Sequence, residues 1–183
     1  MAVDAPPPPP PSLSRPWRWR LLEALHLTVV DDPCAAIQRL VSGCPRLADL
    51  TLEACPNLKR LTVLGAARLR RLALRCFHHA LRIAADGSEL AAFDFVGGLP
   101  ATSLLTLRGS PRAAACAVEF CGRPELSEEE EFAAFRALLG GFVGAEHLHL
   151  RSSRLCRAVG FPTFFSLRRL ELSGGLDDPS SAR

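Results

Sequence analysis

The chain has 183 residues, a length that suits one domain and is enough to bury a sizeable core. A hydrophobic fraction of 48% excludes a wholly disordered chain, and a net charge of +3 is too small to indicate a polyanionic partner. No apolar run reaches the roughly 18 residues of a membrane span, and the N-terminus does not read as a secretory signal. The seven cysteines are therefore expected to be reduced thiols of a cytoplasmic or nuclear protein.

The first twenty residues differ in composition from the rest of the chain. Pro6 to Pro11 form an uninterrupted proline run, which favours an extended polyproline conformation. The sequence predicts a disordered proline-rich leader over 1–20. A docking peptide for an aromatic-lined groove is the alternative interpretation.

A leucine phrase recurs from Leu22 to Leu172. It consists of leucine, two residues, leucine, one residue and an aliphatic residue, with weaker forms at 90–95 and 118–120. Its central positions are 22, 21 and 22 residues apart, within the 20–29 residues of leucine-rich repeats: Leu50, Leu72, Phe93, and later Leu148 and Leu170. The pattern predicts a repeat domain over 21–174 and a flexible tail over 175–183.

Between two of these phrases lies an extra one, from Leu58 to Val63, half a period out of phase. A repeat of 22 residues needs an inner strand and a return path, so this phrase predicts a strand on the outer wall.

Two other return segments carry helix signals. Asp32-Pro33 provides an N-cap and a first-turn proline before Ile37, Leu40 and Val41, and Gly43 ends the segment. Ser127 and Glu130 match a capping box. It is followed by apolar residues at helical spacing and by a two-glycine stop: Phe132, Phe135, Leu139 and Phe142, then Gly140-Gly141.

Together these elements predict an α/β fold, a leucine-rich-repeat solenoid of the ribonuclease-inhibitor type. A parallel sheet would form the concave side, and short strands and helices the convex side. The alternating leucines of each phrase point into the coil, and stacked repeats bury them in one continuous core.

Residues between the leucines are expected to face outward on the concave wall, where this architecture binds partners. One interpretation is a mixed-charge protein-binding groove; the other is a ladder of ion pairs, Asp49–Arg71 and Glu53–Arg75. The candidate partner-binding residues are Asp49, Thr51, Glu53, Arg71, Arg75, Asp94, His147, His149, Arg151, Arg169 and Glu171.

Other chemistries find little support in the sequence. Cys116 and Cys121 have no second pair at zinc-ligand spacing, so structural thiols are favoured, and Cys55 and Cys76 fall near the turn after a strand. His147 and His149 share a face without a spaced carboxylate or thiol to complete a metal site. No nucleophile elbow or phosphate loop occurs, so neither an enzyme nor a cofactor is predicted. Acidic residues interleave with the arginines, which argues against nucleic acid.

The stretch from Asp31 to Cys55, with Glu146 to Leu150, resembles the repeat region of plant F-box/leucine-rich-repeat proteins of the FBD type, over roughly 21–174. The resemblance implies that the repeats present a protein substrate to a Skp–cullin–F-box ubiquitin ligase. Leu13 to Arg18 resembles only the tail of an F-box, so the Skp adaptor is an expected partner only of a longer form with a complete F-box.

The sequence thus predicts a protein–protein recognition module related to F-box substrate selection, without catalysis. Two alternatives stay open: a stand-alone adaptor or competitor without ligase coupling, and a fragment of a ligand-sensing repeat receptor.

Overall fold

The computed structural model describes residues 19–64, 68–78, 82–98, 104–109, 111, 114–120, 127–151 and 161–173. The predicted leader, apart from its last two residues, and the predicted tail lie outside these ranges. The elements in chain order are β1 (Ala24–Thr28), α1 (Cys34–Ser42), β2 (Asp49–Glu53), β3 (Arg60–Val63), β4 (Arg71–Phe77), β5 (Arg82–Asp86), β6 (Ala92–Gly97), β7 (Leu105–Arg108), β8 (Ala115–Phe120), α2 (Glu128–Gly140), β9 (His147–Arg151) and β10 (Arg169–Ser173).

The strands form two sheets, and every strand pair in them is parallel. One sheet has seven strands in the order β1-β2-β4-β6-β8-β9-β10, and the other has the order β3-β5-β7. From β2 to β8 the chain therefore alternates between the two sheets. The predicted α/β class with a parallel sheet is confirmed, and the alternation is compatible with a solenoid-like fold.

Equivalent positions of the leucine phrase lie side by side in the seven-stranded sheet. Leu50 pairs with Leu72, Leu72 with Phe93, and Leu148 with Leu170. The register predicted from the 21- and 22-residue steps is therefore the register of the sheet.

Alternation of side chains along each strand explains where the core lies. Leu50, Leu52, Leu72 and Leu74 are 0% exposed, and they form one apolar cluster with Leu61 and Ile83 of the smaller sheet. The strand predicted from Leu58 to Val63 is observed as β3 in the smaller sheet, and two further strands, β5 and β7, continue that sheet.

Helix α1 packs against the edge of the smaller sheet. The Gln38 side chain donates to the carbonyl of Thr62 at 2.8 Å and accepts from the Thr62 N–H at 2.8 Å, as a neighbouring strand would. The predicted cap at Asp32 is wrong: the N-cap is Pro33, and no side chain caps this helix end. Pro33 has a φ of −57° but an extended ψ of 141°, so it lies outside the helix, which starts at Cys34, one residue later than expected.

Helix α2 begins as the sequence predicts. Ser127 is the N-cap, its hydroxyl accepts from the N–H of Glu130, and the Glu130 carboxylate accepts from the N–H of Ser127 at 3.0 Å. The Ser127 hydroxyl also donates to this carboxylate at 2.9 Å, and the hydrogen bonds from the N–H and then from the hydroxyl of Ser127 lower the pKa of Glu130. Beyond the helix end, Phe142 stacks on Phe93 with ring centroids 4.8 Å apart, which ties this segment to the seven-stranded sheet.

Replacing Ser127 with alanine should lower the free energy of unfolding by about 1 kcal/mol, because both hydrogen bonds of its hydroxyl are lost. Urea denaturation checks this value. Ser127→Thr keeps a capping hydroxyl and should retain most of the stability. Equal losses in the two variants would contradict a capping role.

A left-handed residue recurs where neighbouring strands turn. Val29, Ala54 and Cys76 have φ values of 53°, 50° and 58°, and each follows one of the paired residues Thr28, Glu53 and Arg75. The sequence places Cys55 and Cys76 alike near the turn after a strand, but in the structure the residue equivalent to Cys76 is Ala54, one position before Cys55. Cys55 is buried at the turn, where its thiol donates to the carbonyl of Glu53 at 3.5 Å, whereas Cys76 is exposed at an irregularity of β4.

Burial of the sheet is uneven along its width. Leu148 and Leu150 of β9 are 2% and 0% exposed, whereas Leu170 and Leu172, their partners on β10, are 52% and 58% exposed. Within the described ranges, β10 therefore pairs with a strand on one side only, and its two leucines are exposed.

Candidate binding surface

The outer face is the side of the seven-stranded sheet that points away from the core. Parallel pairing without offset aligns its side chains in three rows across the strands. In the order β1 to β10, the first row is Ala24, Asp49, Arg71, Ala92, Ala115, His147 and Arg169; the second is His26, Thr51, Ala73, Asp94, Ala117, His149 and Glu171; the third is Thr28, Glu53, Arg75, Val96, Glu119, Arg151 and Ser173.

All eleven candidate residues of the sequence prediction belong to these rows. The predicted neighbours of Asp49 and Glu53 are the observed ones, Arg71 and Arg75, and Thr51 lies beside Ala73. The sequence interpretation missed the contribution of β8, which lies between β6 and β9 and supplies Ala115, Ala117 and Glu119. The signal was present, since these three residues alternate with the buried Cys116 and Val118.

The predicted ion pairs are not the ones that form. Arg75 pairs with Asp94, through a 2.6 Å contact between Nη2 and Oδ2 and a 3.2 Å contact from Nε, instead of with Glu53. Asp94 lies opposite Ala73, and this small side chain leaves the diagonal path from Arg75 open. The hydrogen bonds to Asp94, and then its charge, raise the pKa of Arg75.

Two more ion pairs lie on the far half of the outer face. Arg151 is 3.6 Å from Glu119, and Arg169 is 2.5 Å from Glu171 on the same strand. Among the described residues, Asp49 and Arg71 form no ion pair within 4.0 Å, although they are neighbours in the first row. Arg71 is therefore a cation of the outer face that no carboxylate of the described chain holds.

An open depression of about 330 Å³ lies on the outer face between β4 and β10. Alanines line its floor, because three neighbouring positions in the rows carry only a methyl group: Ala92, Ala115 and Ala117. Arg71 stands at one end, and longer polar side chains stand at the other. Six of the eleven candidate residues line the depression, namely Arg71, Asp94, His147, His149, Arg169 and Glu171. The other five, Asp49, Thr51, Glu53, Arg75 and Arg151, do not.

The two histidines of β9 lie on one exposed face of the strand, as their spacing predicts. His149 Nε2 is 3.3 Å from the hydroxyl of Ser173. Within the described ranges, no three histidine, cysteine or acidic side chains converge in a group that would hold a metal ion. Cys121, which the sequence offered as a companion of Cys116, lies outside those ranges.

Cys116 lines the underside of the depression and is 1% exposed. Burial, and secondarily the negative charge of Asp94, raises the pKa of its thiol from 9.0 to about 12. Burial also raises the pKa of Cys44 and of Cys55. These thiols are protonated at neutral pH and act as apolar core groups.

Alkylation of the folded protein with iodoacetamide should modify the exposed Cys76 and spare Cys116, as peptide mass spectrometry would show. Modification of Cys116 as fast as that of Cys76 would contradict the buried position.

The buried thiol of Cys116 also predicts a pH dependence of stability. Because burial raises its pKa from 9.0 to about 12, the contribution of the protonated thiol to the free energy of unfolding is complete below pH 9 and should be lost as the pH rises towards 12.

The chemistry available on the outer face consists of ion pairs, hydrogen bonds and apolar contact over alanines. Of the two helices in the described ranges, neither is long and apolar enough to cross a membrane. Comparisons of the chain with models of protein families, with curated proteins and with solved structures find no match.

Proposed function

We propose that the chain is a protein–protein recognition module that binds its partner on the outer face of the seven-stranded sheet. The observation that carries the proposal is the in-register alignment of mixed-charge side chains over seven parallel strands. Such a surface is wide, is held by a buried core and presents groups that complement a protein surface.

For the architecture we propose a leucine-rich-repeat solenoid with the outer face on its concave side. Two observations support it. Paired strands of the larger sheet lie 22 residues apart from β2 to β4 and from β9 to β10. Paired strands of the smaller sheet also lie 22 residues apart, since Arg60 pairs with Arg82 and Ile83 with Leu105. A period in that range is typical of leucine-rich repeats.

The charges of the outer face favour a protein over a nucleic acid. Five acidic side chains share it with the arginines and histidines: Asp49, Glu53, Asp94, Glu119 and Glu171. A phosphate backbone carries regularly spaced negative charge and would be repelled by these carboxylates. The depression is also open, with His147, His149 and Arg169 exposed, which suits a surface contact better than an enclosed small ligand.

The resemblance to plant F-box/leucine-rich-repeat proteins suggests what kind of recognition this is. By analogy, the module would select a protein substrate for a ubiquitin ligase in the cytoplasm or nucleus, with the Skp adaptor bound only through a complete F-box. A stand-alone adaptor that competes for the same partner is the alternative within this proposal.

The test is affinity capture from a lysate with the intact chain and two matched charge-reversal variants. Arg71→Glu/Arg75→Glu reverses two cations of the outer face, and Lys59→Glu/Arg60→Glu reverses two exposed cations beside β3 in the other sheet. The first variant should lose proteins that both the native chain and the second variant retain. Unchanged capture by the first variant, with an unchanged circular dichroism spectrum, would overturn the proposed surface.

Capture of the Skp adaptor separates the two forms of the proposal. A ligase role predicts that the adaptor co-purifies with a longer form that carries a complete F-box together with the same outer face. A partner that depends on the outer face, recovered without the adaptor, supports the stand-alone adaptor.

A further inference from the structure

Among the charged side chains that line the depression, Arg71 is the one that forms no ion pair with another described residue, and it indicates the chemistry of the group that fits there. Both carboxylates that line it are held by arginines, Asp94 by Arg75 and Glu171 by Arg169. Arg71, His147 and His149 remain, and none of them forms an ion pair with another described residue; His149 lies 3.3 Å from the hydroxyl of Ser173. The depression therefore has a hydrogen-bond donor at each end of its alanine floor, Arg71 and His147. The two carboxylates that line it are already paired with other arginines.

We propose that the depression binds an extended, acidic segment of the partner protein, in which two carboxylates flank an apolar side chain. The inference rests on the proposed recognition function and names the partner chemistry of the same surface. One carboxylate would pair with Arg71, the other would accept a hydrogen bond from His147, and the apolar side chain would lie over Ala92 and Ala115.

The register of the sheet sets the spacing of this segment. Arg71 and His147 belong to one row and are separated by β6 and β8, so they lie three strand spacings apart, or about 14 Å. An extended peptide advances about 3.3 Å per residue, so four residues span about 13 Å. Residues i, i+2 and i+4 of an extended chain point to the same side, so the pattern is acidic, any, apolar, any, acidic.

A partner with discrete carboxylates fits the whole outer face better than a polyanion does. Asp49 lies beside Arg71, and Glu119 lies in the third row beyond the floor, so negative charge flanks the depression on two sides. Two carboxylates placed at Arg71 and His147 bring negative charge to two points only, whereas a chain of phosphates would also lie along Asp49 and Glu119.

The test uses fluorescence polarisation with the full chain and three labelled, terminally blocked peptides at low ionic strength. The probe is Gly-Glu-Ser-Leu-Ser-Glu-Gly, the neutral control is Gly-Gln-Ser-Leu-Ser-Gln-Gly, and the spacing control is Gly-Glu-Glu-Ser-Leu-Ser-Gly. The probe should bind about tenfold more tightly than either control, because only the probe places a carboxylate at both ends of the floor. Equal affinity for the three peptides would overturn the proposal.

Three variants of the chain locate the site. Arg71→Glu should abolish the preference for the probe, whereas Arg60→Glu, an exposed arginine that also begins a strand but in the other sheet, should leave it unchanged. Ala115→Leu fills the floor without changing charge and should weaken the probe several-fold. A preference that survives Arg71→Glu or disappears equally in Arg60→Glu contradicts the assigned site.

Two further outcomes are decisive. Tighter binding of a single-stranded oligoribonucleotide than of the probe, competed by the probe, would replace the acidic peptide by a nucleic acid and overturn the inference. Loss of the peptide preference alone, while affinity capture still depends on the outer face, would remove this inference and leave the proposed function standing.

Discussion

Replacing Leu72 with alanine is expected to lower the free energy of unfolding by about 2–5 kcal/mol, which equilibrium urea denaturation would measure. Leu72 is 0% exposed on β4, between β2 and β6 of the larger sheet. Its side chain lies in the row of buried residues that Leu50 and Phe93 continue on either side. Alanine would leave a cavity between neighbours that are themselves fixed by the sheet, so little of the volume would be recovered.

Leu170→Ala is the matched control, because Leu170 occupies the same place in its own strand but is 52% exposed. Its loss should cost about 1 kcal/mol or less, since much of the side chain already contacts water. A cost below about 1 kcal/mol for Leu72→Ala, or equal costs for the two variants, would contradict the repeat register and the buried row.

Gly97→Ala is expected to destabilise the fold by about 3 kcal/mol or more, again by urea denaturation. A Cβ at Gly97 would lie 2.1 Å from the carbonyl oxygen of Phe77 and 2.9 Å from its carbonyl carbon. Both atoms belong to the backbone of β4, which pairs with β6 at this point after an irregularity at Cys76. The backbone can move only by breaking that pairing and the hydrogen bond from the N–H of Gly98 to the same oxygen, 2.7 Å long.

Gly140→Ala provides the contrast, because a Cβ at this position meets no atom within 4 Å. Gly140 is the last residue of α2, and alanine there should be neutral or should stabilise by about 0.5–1 kcal/mol. A loss below about 1 kcal/mol in Gly97→Ala would show that the two strands approach less closely than described.

The register of the larger sheet was predictable because one physical requirement sets both sequence and structure. Each repeat must bury its leucines against the next, so equivalent leucines lie in adjacent strands and the residues between them form rows. Counting from Leu50 to Leu72 was enough to place Asp49 beside Arg71. The helix beginning at Ser127 was predictable for a local reason, since a capping box is complete within four residues.

Strands with small apolar residues were harder to recognise. β5 reads Arg-Ile-Ala-Ala-Asp and β8 reads Ala-Cys-Ala-Val-Glu-Phe, and neither contains the leucine phrase. Their strand conformation comes from pairing with neighbours, which overrides weak local preference. A search at fixed period would have found β5 and β7, because Leu61, Ile83 and Leu105 are successively 22 residues apart.

The depression and the ion pairs depend on side-chain size across several strands, which leucine spacing does not report. Arg75 reaches Asp94 diagonally because the residue opposite Asp94 is Ala73. The floor exists because alanines of two different strands, Ala92 and Ala115, are neighbours in the first row. Only a complete assignment of strands would have brought these residues together.

The uneven burial of the sheet gives the depression one stiff side and one compliant side. Arg71 is carried by β4, whose leucines are fully enclosed between two neighbouring strands. Arg169 and Glu171 are carried by β10, which among the described strands pairs on one side only and whose leucines are half exposed. Strands with fewer buried contacts open at lower free energy, so we expect β10 to open before β4 and to widen the depression from its own side. A partner would thus be anchored at Arg71 first and accommodated at the other end.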